Sequence, residues 1–260
     1  MTLALSVVPR RVGLILICMA LGLTLASVGA QYARYVLGYT RVLELVRLVD
    51  VNQEQSIPTW YAAVTLLLCA IILAVIVVAS RQLRDGRTRS WAGLSLLALG
   101  CSVEEVAAVH EASIGPLRVV LGAGGLLYHT WVVPGAVLVL AISLTYARFI
   151  AGLDRVTRGW LVLAGFLYLT GALGVEMVGG AYAEQWGEET LVYAGLVAVE
   201  EFLEMAGVAV LVYALLSHLA VLVPEVWLRL GATGETGPPP DDGDPDIVRT
   251  LDVASHRSSV

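Results

Sequence analysis

WAGLSLLALGCSVEEVAAVHEAS, residues 91–113, is the stretch on which the fold turns. Its first half is apolar, and its second half carries Glu104, Glu105, His110 and Glu111. The flanks are too apolar for anything but a helix. The stretch therefore reads as the third of six membrane spans. An ionisable group in hydrocarbon costs at least about 2.5–3.5 kcal/mol on insertion scales, so each one marks a functional position.

The rest of the chain agrees with a membrane protein. Of 260 residues, 58% are hydrophobic and 15% charged, with mean hydropathy +0.79. A soluble domain carries about a quarter charged residues. The net charge of −6 lies largely in one tail and implies no acidic partner. All the basic charge is arginine, and no basic patch interleaved with aromatics exists, which excludes nucleic acid as a partner. Cys18, Cys69 and Cys101 sit singly in apolar runs, form no ligand spacing, and read as small apolar residues.

A spanning helix needs about 20 mostly apolar residues. Six stretches qualify: Val12 to Ala30, Thr59 to Ala79, Trp91 to Ser113, Leu121 to Tyr146, Trp160 to Tyr182 and Thr190 to Leu222. Arginines concentrate before the first, between the second and third, between the fourth and fifth, and after the sixth. The opposite loops hold only Arg34, Arg41, Arg47 and Arg118, and the loop AEQWGEET (183–190) is acidic. This asymmetry predicts a multi-pass protein of the inner (plasma) membrane with both ends cytoplasmic. The first run also has the basic start and small-residue end of a cleaved signal peptide; cleavage leaves five spans in the same orientation.

Between the first two spans, Val42, Leu45, Val46 and Val49 recur at helical spacing. They predict an amphipathic helix over about 32–50 in the outer interface, placed to act as a lid. The segment 231–260 is rich in Gly, Pro and Asp and predicts a disordered cytoplasmic tail. The expected architecture is an all-α, polytopic helix bundle over residues 1–230 with that tail.

The intramembrane charges recur at one depth. At about 1.5 Å per residue from the outer end of each span, Glu104 and Glu105 lie about 12–14 Å in, and His129 about 10–12 Å in. Glu176 lies about 8–9 Å in, and Glu200 and Glu201 about 15–18 Å in. Four helices thus contribute to one layer. At about 100° per residue, Glu104 and Glu111 share a face two turns apart, while His110 sits on neither glutamate's face. Glu200, Glu201 and Glu204 occupy about a third of the last helix. Gly171, Gly174, Gly179 and Gly180 flank Glu176, and Gly122, Gly124 and Gly125 precede His129; small residues let helices approach closely. Pro134 predicts a kink a turn below His129. His218 reads as an interface residue outside the site.

Carboxylates this close in a dry site either share protons or hold a cation. Two function classes result. In the first, Glu104, His129, Glu176 and Glu201, with Glu200, Glu204, His110 and Glu111 beside them, bind a divalent metal: iron, manganese or zinc. The inventory resembles that of ferritin-like di-iron and di-manganese proteins, although no span has their Glu-x-x-His spacing. Such a site suits oxidative or hydrolytic chemistry on a lipid-phase substrate, with Glu105 as general base and one open position for water. In the second, the same groups carry protons or cations through a transporter or channel. Its partners are then the lipid bilayer and a cation. A structural or accessory subunit is the third alternative. A haem between His110 and His129 is disfavoured by the carboxylates beside it. No G-x-S-x-G, H-E-x-x-H or phosphate-binding loop is present.

EEVAAVHE (104–111), YHTWVVPG (128–135), GALGVEMVGG (171–180) and VEEFLEM (199–205) together resemble a group of bacterial multi-pass membrane proteins without an assigned activity. The likeness covers the third to sixth spans. It implies a membrane fold and no chemistry.

Overall fold

The computed structural model describes residues 2–4, 8–38, 43–53, 55–223 and 227–229. The expected disordered tail at 231–260 lies outside the described residues, as does part of the proposed interfacial segment. Two compact units are formed. In one, β1 (Thr2–Ala4) pairs antiparallel with β2 (Trp227–Arg229), Leu3 opposite Leu228. Beyond this short pair the elements formed by the described residues are helical, as the all-α reading expects. Three residues per strand are too few to leave a period-two signal.

The other unit, residues 6–225, is helical among its described residues. Its helices are α1 (Pro9–Tyr35), α2 (Leu43–Val49), α3 (Ile57–Leu83), α4 (Thr88–Ala107), α5 (Val109–Leu121), α6 (Val132–Ala151), α7 (Arg155–Leu169), α8 (Glu176–Trp186) and α9 (Leu191–Leu222). A π-helical turn, Thr170–Val175, joins α7 to α8. Five of these stretches are long and apolar enough to cross a membrane: Pro9–Tyr35, Ile57–Leu83, Val132–Ala151, Arg155–Trp186 and Leu191–Leu222. The pair α4–α5 makes a sixth if its two bent halves are taken together.

α9 is the centre. Met205 to Val210 are buried without interruption, so every side of the helix is covered there. The neighbours are α1, α3, α7 and the π turn. Ala206, Gly207 and Ala209 keep α9 thin enough for this. Gly207 meets the backbone of α7: an added Cβ would lie 2.8 Å from Tyr168 N and 2.9 Å from Ala164 O. α3 packs on α4 and α9 through Cys69, Ile72, Leu73 and Ile76, which join Trp91, Val212 and Leu215 in one apolar cluster. Hydroxyls tie α4 to α3: Ser95 Oγ donates to Ala70 O and Ser102 Oγ to Ala63 O, both at 2.8 Å. α1 buries one stripe, Gly13, Ala20, Thr24, Ser27 and Gln31, and lies along α9. α6 is different. Val132 is its one buried residue, and the π turn is its main close neighbour.

Several boundaries depart from the sequence reading, each for a local reason. The third stretch is broken. α4 and α5 meet at Ala108 with a bend of 74°. Ala108 is left-handed (φ 45°), and its N–H donates to Glu104 O at 2.7 Å, ending α4. The Glu104 carboxylate then accepts from His110 N at 3.0 Å, in the first turn of α5. A carboxylate at a helix N-terminus satisfies an orphan donor and complements the dipole. The fourth helix starts at Val132 rather than Leu121, because Gly122 and Gly125 take positive φ. Pro134 therefore lies in the first turn of α6, where its missing N–H costs nothing, and it does not kink a running helix. The outer-loop helix is shorter than 32–50: α1 continues to Tyr35, and α2 covers only Leu43–Val49. His218 is buried beside Trp91, with Thr157 Oγ1 at 3.3 Å from Nδ1, and is not an interfacial residue. Among the cysteines, Cys69 is buried but Cys18 is exposed.

Candidate functional site

A cavity of about 1090 Å³ lies within the helical unit. Every residue singled out from the sequence lines it: Glu104, Glu105, His110, Glu111, His129, Glu176, Glu200, Glu201 and Glu204. Glu188 adds an eighth carboxylate at the mouth, where Val51, Asn52 and Gln53 of the segment after α2 also face the cavity. Away from this end the walls are apolar: Leu73, Leu94, Leu138, Ile142, Leu161, Leu211 and Leu215.

The polar side chains fall into three groups. The first centres on Glu176. Trp131 Nε1 donates to its Oε1 at 2.6 Å, and His129 Nδ1 lies 3.1 Å from its Oε2. That His129 contact has the distance of an ion pair but not the direction of a hydrogen bond, so the buried Nδ1 has no hydrogen-bond partner. The Glu200 carboxyl reaches that of Glu176 from α9. In the second group, His110 Nδ1 lies 2.7 Å from Glu104 Oε1, and the His110 ring packs on Trp131 at 4.8 Å. A straight helix would put His110 on neither glutamate's face. The break at Ala108 turns α5 back so that His110 and Glu104 meet, and it also removes the straight-helix relation of Glu104 to Glu111. The third group is deeper. Glu201 and Glu204 of α9 face Glu105 of α4, and the Tyr168 hydroxyl reaches Glu204.

Each group has a backbone device behind it. The π turn precedes Glu176 directly. Single π turns inside α-helices are frequent at functional sites, where the extra residue re-aims the side chains beyond it. Gly171, inside that turn, meets α9: a Cβ there would lie 2.7 Å from Glu200 O. The crossing thus fixes Glu200 near Glu176. Gly180 gives His129 its seat, with the His129 backbone N 3.3 Å from where a Cβ would be. Gly125 N donates to Glu184 at 2.5 Å, anchoring the turn before His129.

Among the described residues the cavity has one arginine, and it is engaged. Arg118 donates from Nε and Nη2 to Tyr128 O at 3.2 and 2.9 Å, and its guanidinium lies 3.8 Å over the Tyr128 ring. Among the described residues no group of three or more His, Cys, Asp or Glu is arranged to hold a metal ion. Trp131, Tyr168 and Arg118 are site residues that sequence reasoning does not reach. Trp131 has a weak signal, two residues after His129; Tyr168 has none, since its reach to Glu204 depends on the α7–α9 crossing.

No curated protein matches the chain, and no solved structure matches it. A family model does match, over residues 14–219, described as a domain of unknown function, DUF8692. The matched range runs from the first turns of α1 to the last turn of α9 and contains the whole cavity wall. With most of its length so matched, the chain belongs to the DUF8692 family.

Proposed function

We propose that this is an integral inner-membrane protein that binds a cation in the outer half of its bundle, with both ends cytoplasmic. Glu176 and Glu200 hold the charge, His129 and Trp131 position Glu176, and the deeper Glu105, Glu201 and Glu204 take up or release protons as the cation comes and goes. One observation carries this reading: eight glutamates line the cavity, and its one arginine is spent on Tyr128 O and the Tyr128 ring. Carboxylates shielded from water need protons or a cation to balance them. The reading belongs to the transport or binding class; the same geometry serves a carrier or a channel.

The test is a melt of the purified chain against a panel of cations, with a Glu176→Gln, Glu200→Gln double variant beside it. At a hundred times its dissociation constant, a bound cation stabilises by about 2.7 kcal/mol. The expected result is a rise in melting temperature with at least one cation that vanishes in the double variant. Indifference of the wild type to every cation would remove the proposal. Proton flux in liposomes, lost in Glu176→Gln, separates transport from binding alone.

A second reading is a divalent metal, iron, manganese or zinc, and His129 favours it. A buried imidazole nitrogen without a hydrogen-bond partner, 3.1 Å from a carboxylate oxygen, is a ligand pair in the making. Metal bonds of about 2 Å need Glu176 and Glu200 to close on it. Glu105 as a general base for bound water belongs to this reading. Elemental analysis of wild type against His129→Ala decides it: equal metal content in both ends the metal reading.

A further inference from the structure

The cavity is far larger than a bare cation needs. Its volume of about 1090 Å³ stands at the top of the range for small-molecule sites, about 300–1,000 Å³. It is also long. Along α6 both Pro134 and Ile150 line it, and the 16 helical steps from one to the other span about 24 Å at about 1.5 Å each. The chemistry changes along this length. One end has the carboxylates and the rings of Trp131 and Tyr193; the other has leucines, isoleucines and Ala98.

We infer that the cation is the head group of a lipid-phase amphiphile: a single-chain amine or quaternary ammonium, its head between Glu176, Glu200 and Trp131 and its chain running down the apolar channel beside α6. This rests on the cation-binding reading and gives it a ligand class. Three independent features support it. The charge is complementary: acidic groups line the cavity and its arginine is engaged. His129, with its side chain only 7% exposed and its Nδ1 without a hydrogen-bond partner, faces the same end. Aromatic faces beside carboxylates attract organic ammonium groups. The route in is set by α6. That helix is held at the π turn and, at its other end, by Tyr146 and Phe149 resting on Gly93 and Trp91 of α4. Between these holds Val137, Leu138, Leu140 and Leu144 are exposed, and there a chain slides in from the bilayer.

Cys101 provides a native reporter. It is free, partly buried and part of the cavity wall, whereas Cys18 is exposed on α1. The purified full chain in dodecyl maltoside is treated with N-ethylmaleimide, and alkylation at each cysteine is followed by peptide mass spectrometry. Dodecyltrimethylammonium is expected to slow the reaction at Cys101 and leave Cys18 unchanged. It is expected to bind at least about tenfold more tightly than tetramethylammonium, because a buried chain of several methylenes exceeds one decade in affinity. Glu176→Gln with Glu200→Gln abolishes both ligands' binding. Ile142→Trp, which fills the channel, removes only the long chain's advantage.

If tetramethylammonium binds as tightly as the long-chain probe and both fail in the glutamate variant, cation binding stands and the amphiphile is overturned. If the long-chain probe protects Cys101 equally in the glutamate variant, the charged end is not recognised and both readings fall. If neither probe binds wild type, the amphiphile is overturned, while cation binding stands or falls with the cation panel. The Cys101 measurement on wild type holds even if Ile142→Trp does not fold.

Discussion

The α3–α9 side and the α6 side of the bundle have similar compositions and opposite structures. Ile76, Cys69, Val212 and Leu215 are almost wholly buried, whereas Val137, Leu138, Leu140 and Leu144 of α6 are between 59% and 70% exposed. Hydrophobicity alone does not tell these sides apart. In a bilayer, lipid is as apolar as leucine, so helix association depends on close packing and small residues rather than on burial from water. Gly207 and Gly171 provide that packing where α7 and the π turn cross α9. α6 meets α4 through side chains at one end, Tyr146 against Gly93 and Phe149 edge-on to Trp91 at 4.8 Å, while its middle is left open. Both sides line the cavity; the packed side is its scaffold, and the loose side is its thinly held wall.

The sharpest way to break this contrast is at the crossing. Gly207→Leu puts side-chain atoms where Tyr168 N and Ala164 O already stand, and is expected to cost about 3 kcal/mol, the upper end of overpacking. It should appear as a large fall in melting temperature or loss of folded protein in detergent. A Gly207→Leu chain that melts with wild type would show that α7 is not locked on α9. Next comes Ile76→Ala, fully buried between α3, α4 and α9. It is expected to cost about 2 kcal/mol, the low end for such truncations. Leu140→Ala on α6, 59% exposed, is expected to stay within about 0.5 kcal/mol. Equal effects of the two alanines would erase the distinction.

Smaller effects probe the joints. Ala108 holds a left-handed conformation that costs a residue with a Cβ about 1–2 kcal/mol, so Ala108→Gly is expected to stabilise by about 1 kcal/mol. Ala108→Val should do the reverse. At the other end, Asp154 caps α7: its Oδ1 accepts from Thr157 N at 2.9 Å and Val156 N at 3.1 Å. These backbone N–H bonds, that from Thr157 foremost, hold its carboxyl below the ordinary aspartate range. Asp154→Ala is expected to cost about 0.5–1 kcal/mol near neutral pH. Because the folded-state value is depressed, the cap is worth its full amount above the unfolded aspartate range. It fades as pH falls through the lower, folded value. Melting curves of the pair should therefore converge in acid.

The sequence exposes the parts of the fold that repeat and hides those that occur once. Long apolar runs at Thr59–Ala79 and Thr190–Leu222 locate α3 and α9 closely, because a helix states its identity at every turn. Every glutamate and histidine chosen by depth lines the cavity, since rise per residue survives small errors in helix ends. The failures are angular. The pairing of Glu104 with His110 rests on one residue's backbone, Ala108, and alanine carries no warning of a left-handed turn. The late start of α6 is more legible: Gly122, Gly124 and Gly125 before Pro134 are chain-breaking signals, although the same glycines also suit close packing. The grouping of Glu105 with Glu201 and Glu204 depends on which helices cross, which no single-chain periodicity contains.

The π turn at Thr170–Val175 changes what the chain can lose. Removing one residue from an ordinary α-helix rotates everything beyond it by about 100°. A π turn already holds one residue more than the α-helix needs. Deleting Ala172 would let the ladder close as continuous α-helix with its two ends still in phase, Glu176 still facing His129. The same deletion three turns earlier, in α7, would swing Glu176 off its partners. This helical stretch thus has one place where a codon can disappear without turning the site away.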